Sequence, residues 1–398
     1  QVRTVSLVFV DESNSAASSD NSGYGGPFAV DVSGADSLRV DSSAFHDNQF
    51  GALICRSCRA VYAARSSLVR NLLGGYSGGN IVLEYPGRTT LYGLSVASGA
   101  GSGLWLRLMG QGSRTVVDSS TLTGSPILVR TDASFYEGLG DTLVVSRSVL
   151  RGAGTGVDAS ALSSFTLSGS LIDSTSTGVN WYSPGLAKMY GNTFSRVGSA
   201  AINAQNGTVA IDSNVISGSG AGYGASLLYT PGSVTRNVIT GFSYGVYAYS
   251  YYNPQRLRIN GNTIVRDTMS SGTSIYVSTM SDSAVTISGN TIQRGLGNGI
   301  ELYGYYTGIG NALVDSNLVQ GMRGAGMSFS GAIASVSMRY NTLADNFVGL
   351  SSAVPVQGTL NTVTRNTSGG AAFLSSAQSL FRSGNYVGNA HLAVSNGY

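Results

Sequence analysis

The sequence predicts an all-β chain wound as a parallel β-helix, a single solenoid of about fifteen coils with three short strands in each. Three observations predict it. A Ser or Asn slot recurs at a near-constant period. An apolar block that alternates in steps of two precedes each slot. A second such block, usually opened by a small residue, follows about eight residues later.

The slots are Ser43, Ser67, Leu94, Ser120, Ser148 and Ser170, then Asn192, Asn214, Asn237, Asn262, Asn290, Asn317, Asn341, Asn366 and Asn385. First to last they span 342 residues in 14 intervals, a mean of 24.4, with single intervals of 19 to 28. The block before the slot reads Val209 and Ile211, Leu257 and Ile259, or Val285 and Ile287. Alternation over so short a run is a strand pattern rather than a helix pattern. The residues just after the slot, such as Thr263-Ile264 or Thr291-Ile292, form a second short strand. The third begins at a small residue, as in Gly245-Val246-Tyr247-Ala248 and Gly299-Ile300-Glu301-Leu302. Each strand is expected to pair with its equivalent one turn on, about 4.8 Å away, so the coils would stack to roughly 70 Å.

The slot lies at a bend. Asn tolerates left-handed backbone better than most residues, and its amide both donates and accepts hydrogen bonds. Asn192, Asn214, Asn237, Asn262, Asn290, Asn317 and Asn341 are therefore expected as a buried structural ladder, with Ser a weaker substitute. The expected domain is 1–398 as one unit, in which 1–27 form an incomplete first coil and loop and 28–398 the regular coils, because a solenoid grows by repetition.

On this ladder, the chain resembles the right-handed parallel β-helix proteins of the pectate-lyase-like superfamily over nearly all of its 398 residues. The resemblance implies the fold. It leaves the activity open, because the superfamily spans lyases, hydrolases, epimerases, phage spikes and non-catalytic surface proteins.

Composition narrows the classes. Charged residues are 11 % of the chain, under half the usual share. The single lysine, Lys188, stands against 22 arginines, and net charge is only +3. That is too small and too scattered for a nucleic-acid footprint. No apolar run reaches 18 residues, so no membrane span is expected. Richness in Ser, Gly, Asn and Thr points to an extracellular or cell-surface location, and Gln1 reads as a mature terminus left by processing. Cys55 and Cys58 lack the two further ligands of a zinc site and are expected as a local disulfide. No metal and no cofactor is expected.

Enzymes of the resembled superfamily place their sites on one sheet face, built from outward residues of consecutive coils. The third strand supplies the candidates. Its second outward row reads Cys55, Glu84, Arg107 and Arg130; its first reads Val82, Trp105, Leu128 and Asp158. Glu84, Arg107, Arg130 and Asp158 bring both charge signs together. An Arg pair there would clamp a uronate carboxylate, and a carboxylate would move a proton. The bland alternative is an ion-pair ladder between coils. The calcium-holding Asp cluster of the resembled lyases, the Asp pair, His and Arg-x-Lys of the polygalacturonases, and the Asp-Pro-His-Asp of the epimerases are absent. The glutamates, Glu12, Glu84, Glu137 and Glu301, fall on distant coils rather than facing in pairs. Tyr182, Tyr247, Tyr249 and Tyr303 offer amphipathic contact area suited to sugar stacking, or merely good strand formers.

Two functions follow. One is an extracellular structural or adhesive protein. The other is a secreted lyase, epimerase or hydrolase on an acidic glycan. The chain opens directly in a strand with Val5, Leu7 and Phe9, and ends in one with Leu392 and Val394, in phase for one copy to follow another head-to-tail. Such a contact does not close and yields a filament. Copies of itself, and a surface glycan, are the expected partners.

Overall fold

The computed structural model describes residues 4–7, 28–48, 51–71, 78–98, 101–107, 112–132, 140–251, 256–266, 271–280, 283–373, 380–381 and 386–388. Strands dominate, and the described strand pairs are parallel. Thr208–Asp212 pairs with Gly232–Thr235, that strand with Arg256–Asn260, and that one with Ser283–Ser288. The chain divides into two compact units, Gln1–Val197 and Gly198–Tyr398.

In the second unit, inward columns of aliphatic side chains fill each coil. Val234, Ile259 and Ile287 come from the strand before the slot. Ile239, Ile264 and Ile292 come from the strand after it, and Val246, Ile275 and Ile300 from the third. All are buried, and the same three columns recur in the first unit as Val145, Leu150 and Val157. Larger rings enter that core too: Phe165 and Trp181 stack inside with centroids 6.0 Å apart.

The small residue opening the third strand has a steric cause. A Cβ on Gly245 would lie 2.6 Å from Ile264 Cγ2, and one on Gly299 would lie 2.3 Å from Val319 Cγ1. The aliphatic residue after the slot already fills that space.

The ladder is present, with two corrections. Residue pairing aligns Ala44 with Ser67, so the slot of the second coil is Ser66, whose Oγ accepts the Ser43 N–H at 3.1 Å. After Asn341 the slot is Asn361, 20 residues on, which accepts the Asn341 N–H and amide. Asn366 instead belongs to a second ladder at another bend, accepting the Asn346 N–H at 2.9 Å while Asn346 accepts that of Met322 at 3.0 Å. Asn385 lies outside the described residues. The slots of the first unit are mostly Ser and those of the second are all Asn.

The bend itself also differs from expectation. The left-handed residue is the one before the slot: Ser213 at φ 54°, Arg236 at 54°, Gly261 at 65° and Ser316 at 54°. The Asn side chain then folds back over a backbone already turned.

Among the described residues no helix is long and apolar enough to cross a membrane. Thr4–Leu7 runs parallel beside Ser37–Asp41, Val5 opposite Leu38 and Leu7 opposite Val40. Phe9, Leu392 and Val394 lie outside the described residues.

Candidate functional site

The charged candidates separate into different surroundings. Glu84 ends the strand Gly79–Glu84 and stands opposite Arg56 on one side and Arg107 on the other. Arg107 Nη1 donates to its Oε1 at 2.8 Å, and Arg56 Nε lies 3.5 Å from Oε2. Arg56 also donates to Asp31 at 2.6 Å. Glu84, 7 % exposed, is thus held between two guanidinium groups. Removing one partner from so buried a pair leaves a charge uncompensated.

Arg130 does not join this row. It pairs in register with Trp105 and Asp158, its guanidinium 5.2 Å from the Trp105 ring and 3.7 Å from Asp132. Asp158 accepts the Asn180 amide at 2.9 Å. Arg107 and Arg130 both lie over the Trp105 ring, at 5.7 and 5.2 Å, but among the described residues no ion pair joins Glu84 to Arg130, so the four do not form one constellation. Nor is the row beside them open: Val82 and Trp105 form a buried outer cluster with Phe28 and Ile54. Cys55 is a further correction. It stands opposite inward Leu83, is buried, and is joined to Cys58 by a disulfide with Cα atoms 6.1 Å apart. Arg56 occupies the outward place that the spacing gave to Cys55.

Tyrosine also gathers on the third strands. Tyr182 lies in the first unit, opposite Ser160. Tyr247, Tyr249 and Tyr303 lie in the second unit, on the third strand of their coils. Tyr247 stacks on Tyr276 with centroids 5.2 Å apart and planes 9° off parallel. Tyr223 and Tyr244 form a second stack at 5.4 Å. The stacks meet edge to face, Tyr244 on Tyr247 at 5.4 Å, the geometry that aromatic quadrupoles favour. Tyr249 meets Tyr229 edge-on, and Tyr303 meets Tyr305 at 4.4 Å. Burial, with smaller contributions from neighbouring tyrosines, pushes the Tyr247 phenol up to about 12. Its hydroxyl therefore stays protonated and able to donate at neutral pH.

Sequence spacing missed Tyr223 and Tyr244. They occupy a third outward row, immediately before the small residues Gly224 and Gly245. The repeated Tyr-Gly pair was the available signal. The spacing also gave Glu301 no role beyond a place in the first outward row. It follows Tyr276 in register, and its Oε2 accepts from Thr273 Oγ1 at 3.0 Å and Asn298 Nδ2 at 2.9 Å.

The stacks change what the tyrosines offer. Ring faces inside a column are spent on one another. The column ends and the phenol edges are what remain for a partner.

The family model of a right-handed beta helix region matches residues 156–308 and 223–389, together more than half of the chain. The chain belongs to the right-handed β-helix family. No curated protein matches this sequence.

Proposed function

We propose that this chain is a structural or adhesive β-helix protein of the cell surface or extracellular space that holds a surface glycan on its tyrosine face. The observation that carries the reading is the array built by Tyr223, Tyr244, Tyr247 and Tyr276, four rings joined by successive contacts on one sheet face. Rigid phenols give broad contact area at low entropic cost and supply hydroxyls at their edges. The Cys55–Cys58 disulfide agrees with an oxidising compartment.

The same reading disfavours glycan cleavage. A general acid or base must reach the proton it moves, and Glu84 is committed to Arg56 and Arg107 instead. Self-association belongs to the proposal as well. Among the described residues Thr4–Leu7 pairs with Ser37–Asp41, and a strand of another copy added to its second edge would carry the sheet from one copy into the next.

Incubation with alginate, pectate, glycosaminoglycan and neutral β-glycan panels tests the reading. Retention on one or more glycans without shortened or unsaturated products is the expected result. Shortened or unsaturated products that vanish in a folded Glu84→Gln variant would establish the lyase or hydrolase alternative.

A further inference from the structure

Glu301 differs from Glu84, the other glutamate on these candidate faces. Glu84 is neutralised by arginine on both sides. Among the described residues Glu301 has no ion-pair partner, and its Oε1 has no hydrogen-bond partner. Thr273 and Asn298 fix the carboxylate by Oε2 alone, which orients the group and leaves its charge in place.

Its position is specific. Tyr247 covers one face of Tyr276, and the next residue of that row, where a third ring would continue the column, is Glu301. Tyr305 and Glu301 both lie close enough to Tyr276 to help hold its phenol protonated, behind the larger effect of burial. Aromatic faces are electron-rich, so they repel a carboxylate and attract a cation. A fixed carboxylate at the end of a tyrosine stack is thus a pairing that a cation relieves.

The row also has a direction. Ser226, Tyr247, Tyr276, Glu301, Ser328 and Ser351 follow one another in register, one per coil. The step is one strand spacing, about 4.8 Å, comparable with the length of one sugar residue in an extended chain. Hydroxyls and phenols flank the single charge along it.

We infer that Glu301, with the ring of Tyr276, is a site for the protonated amine of an amino-sugar polymer lying along this row. The inference rests on the glycan-binding reading above and names the glycan class. A lysine on a protein would offer the same ammonium; the commensurate row of hydroxyl-bearing residues favours the polysaccharide.

Calorimetry with a glucosamine hexamer and its fully N-acetylated counterpart tests it. The intact protein should bind the amine form at least tenfold more tightly, and added salt should weaken that form alone. Glu301→Gln, with its melting temperature unchanged, should bring the two oligomers within twofold of each other. Gln357→Ala, exposed on the strand before the slot and off this row, should keep the preference. Equal binding of both oligomers by the intact protein would overturn the amine site while leaving the adhesive reading standing. Binding of poly-lysine that neither oligomer displaces would overturn it in favour of a protein partner. Failure to bind either oligomer or any glycan of the wider panel would overturn both.

Discussion

A slot asparagine satisfies both bends that it touches. Asn290 donates its amide to Ile259 O and to Asn317 Oδ1, each at 2.9 Å, and its own Oδ1 accepts the N–H and the amide of Asn262. Asn290→Ala therefore orphans buried groups on two neighbouring coils, and about 1–3 kcal/mol of stability should be lost. Ser148 accepts one N–H and donates one hydroxyl, so Ser148→Ala should cost about 1 kcal/mol. Urea denaturation measures both; equal losses, or none, would contradict the ladder's role. The ladder was legible in the sequence because the slot is chemically distinctive. Its errors have the same origin. Ser66 and Ser67 are the same letter, and Asn361 and Asn366 are each followed by Thr. Only strand pairing separates them, through a short coil of 20 residues after Asn341.

At the scale of elements, the bends are fastened by arginines reaching back one coil to an aspartate. Arg147 holds Asp118, Arg196 holds Asp173, Arg236 holds Asp212 and Arg365 holds Asp345. Arg147 pulls the Asp118 carboxyl below its usual range against the opposing effect of burial. At Asp173 burial is the largest single influence and acts upward, yet Arg196 and Arg151 together outweigh it. A carboxyl depressed in the folded state lends stability that is fully present above its unfolded value, about 3.9, and is lost as pH falls through the folded value. The urea midpoint should be level from neutral pH to about 5 and should decline below about 4. Tyr247 works in the other direction. Its phenol is raised to about 12, so its contribution is whole below the unfolded value near 10 and disappears between there and the folded value. A midpoint that rises below pH 4, or tyrosinate absorbance that completes its rise by pH 10, would contradict these assignments.

Packing between elements gives a third test. Gly299→Ala places a Cβ against Val319 and the Gly326 carbonyl, and should cost about 1–3 kcal/mol by overpacking. Strand existence and the small-residue rule were readable because both follow from local pattern. The rows of the sheet face were readable only in part. Rows are set by which residue pairs with which across a coil, and a short slip in register moves a side chain to other neighbours. That is how Arg130 came to stand with Trp105 and Asp158 rather than with Glu84 and Arg107. The tyrosine stacks were half legible: Tyr247, Tyr249 and Tyr303 were visible as outward residues, while their contacts depend on ring orientation that spacing does not encode.

At the scale of the whole molecule, the reading of 1–398 as one solenoid domain expects nearest-neighbour coupling from coil to coil. Thermal unfolding followed by calorimetry should then show one transition. Two transitions, assigned by proteolysis to Gln1–Val197 and Gly198–Tyr398, would divide the chain at the boundary between its compact units. Self-association should fall when Thr4–Leu7 is deleted, as read by light scattering across protein concentration; an unchanged mass distribution would remove that strand from the assembly.

The adhesive reading stands or falls on the tyrosine face. Co-sedimentation of the protein with insoluble glycans tests it most directly, comparing the intact chain with a Tyr247→Ala, Tyr276→Ala double variant checked for an unchanged slot ladder by hydrogen exchange. The account predicts that the intact chain sediments with at least one glycan, that the double variant is retained at least tenfold more weakly, and that the glycan is recovered uncut. Equal retention of both proteins, or a glycan recovered in fragments, would contradict it.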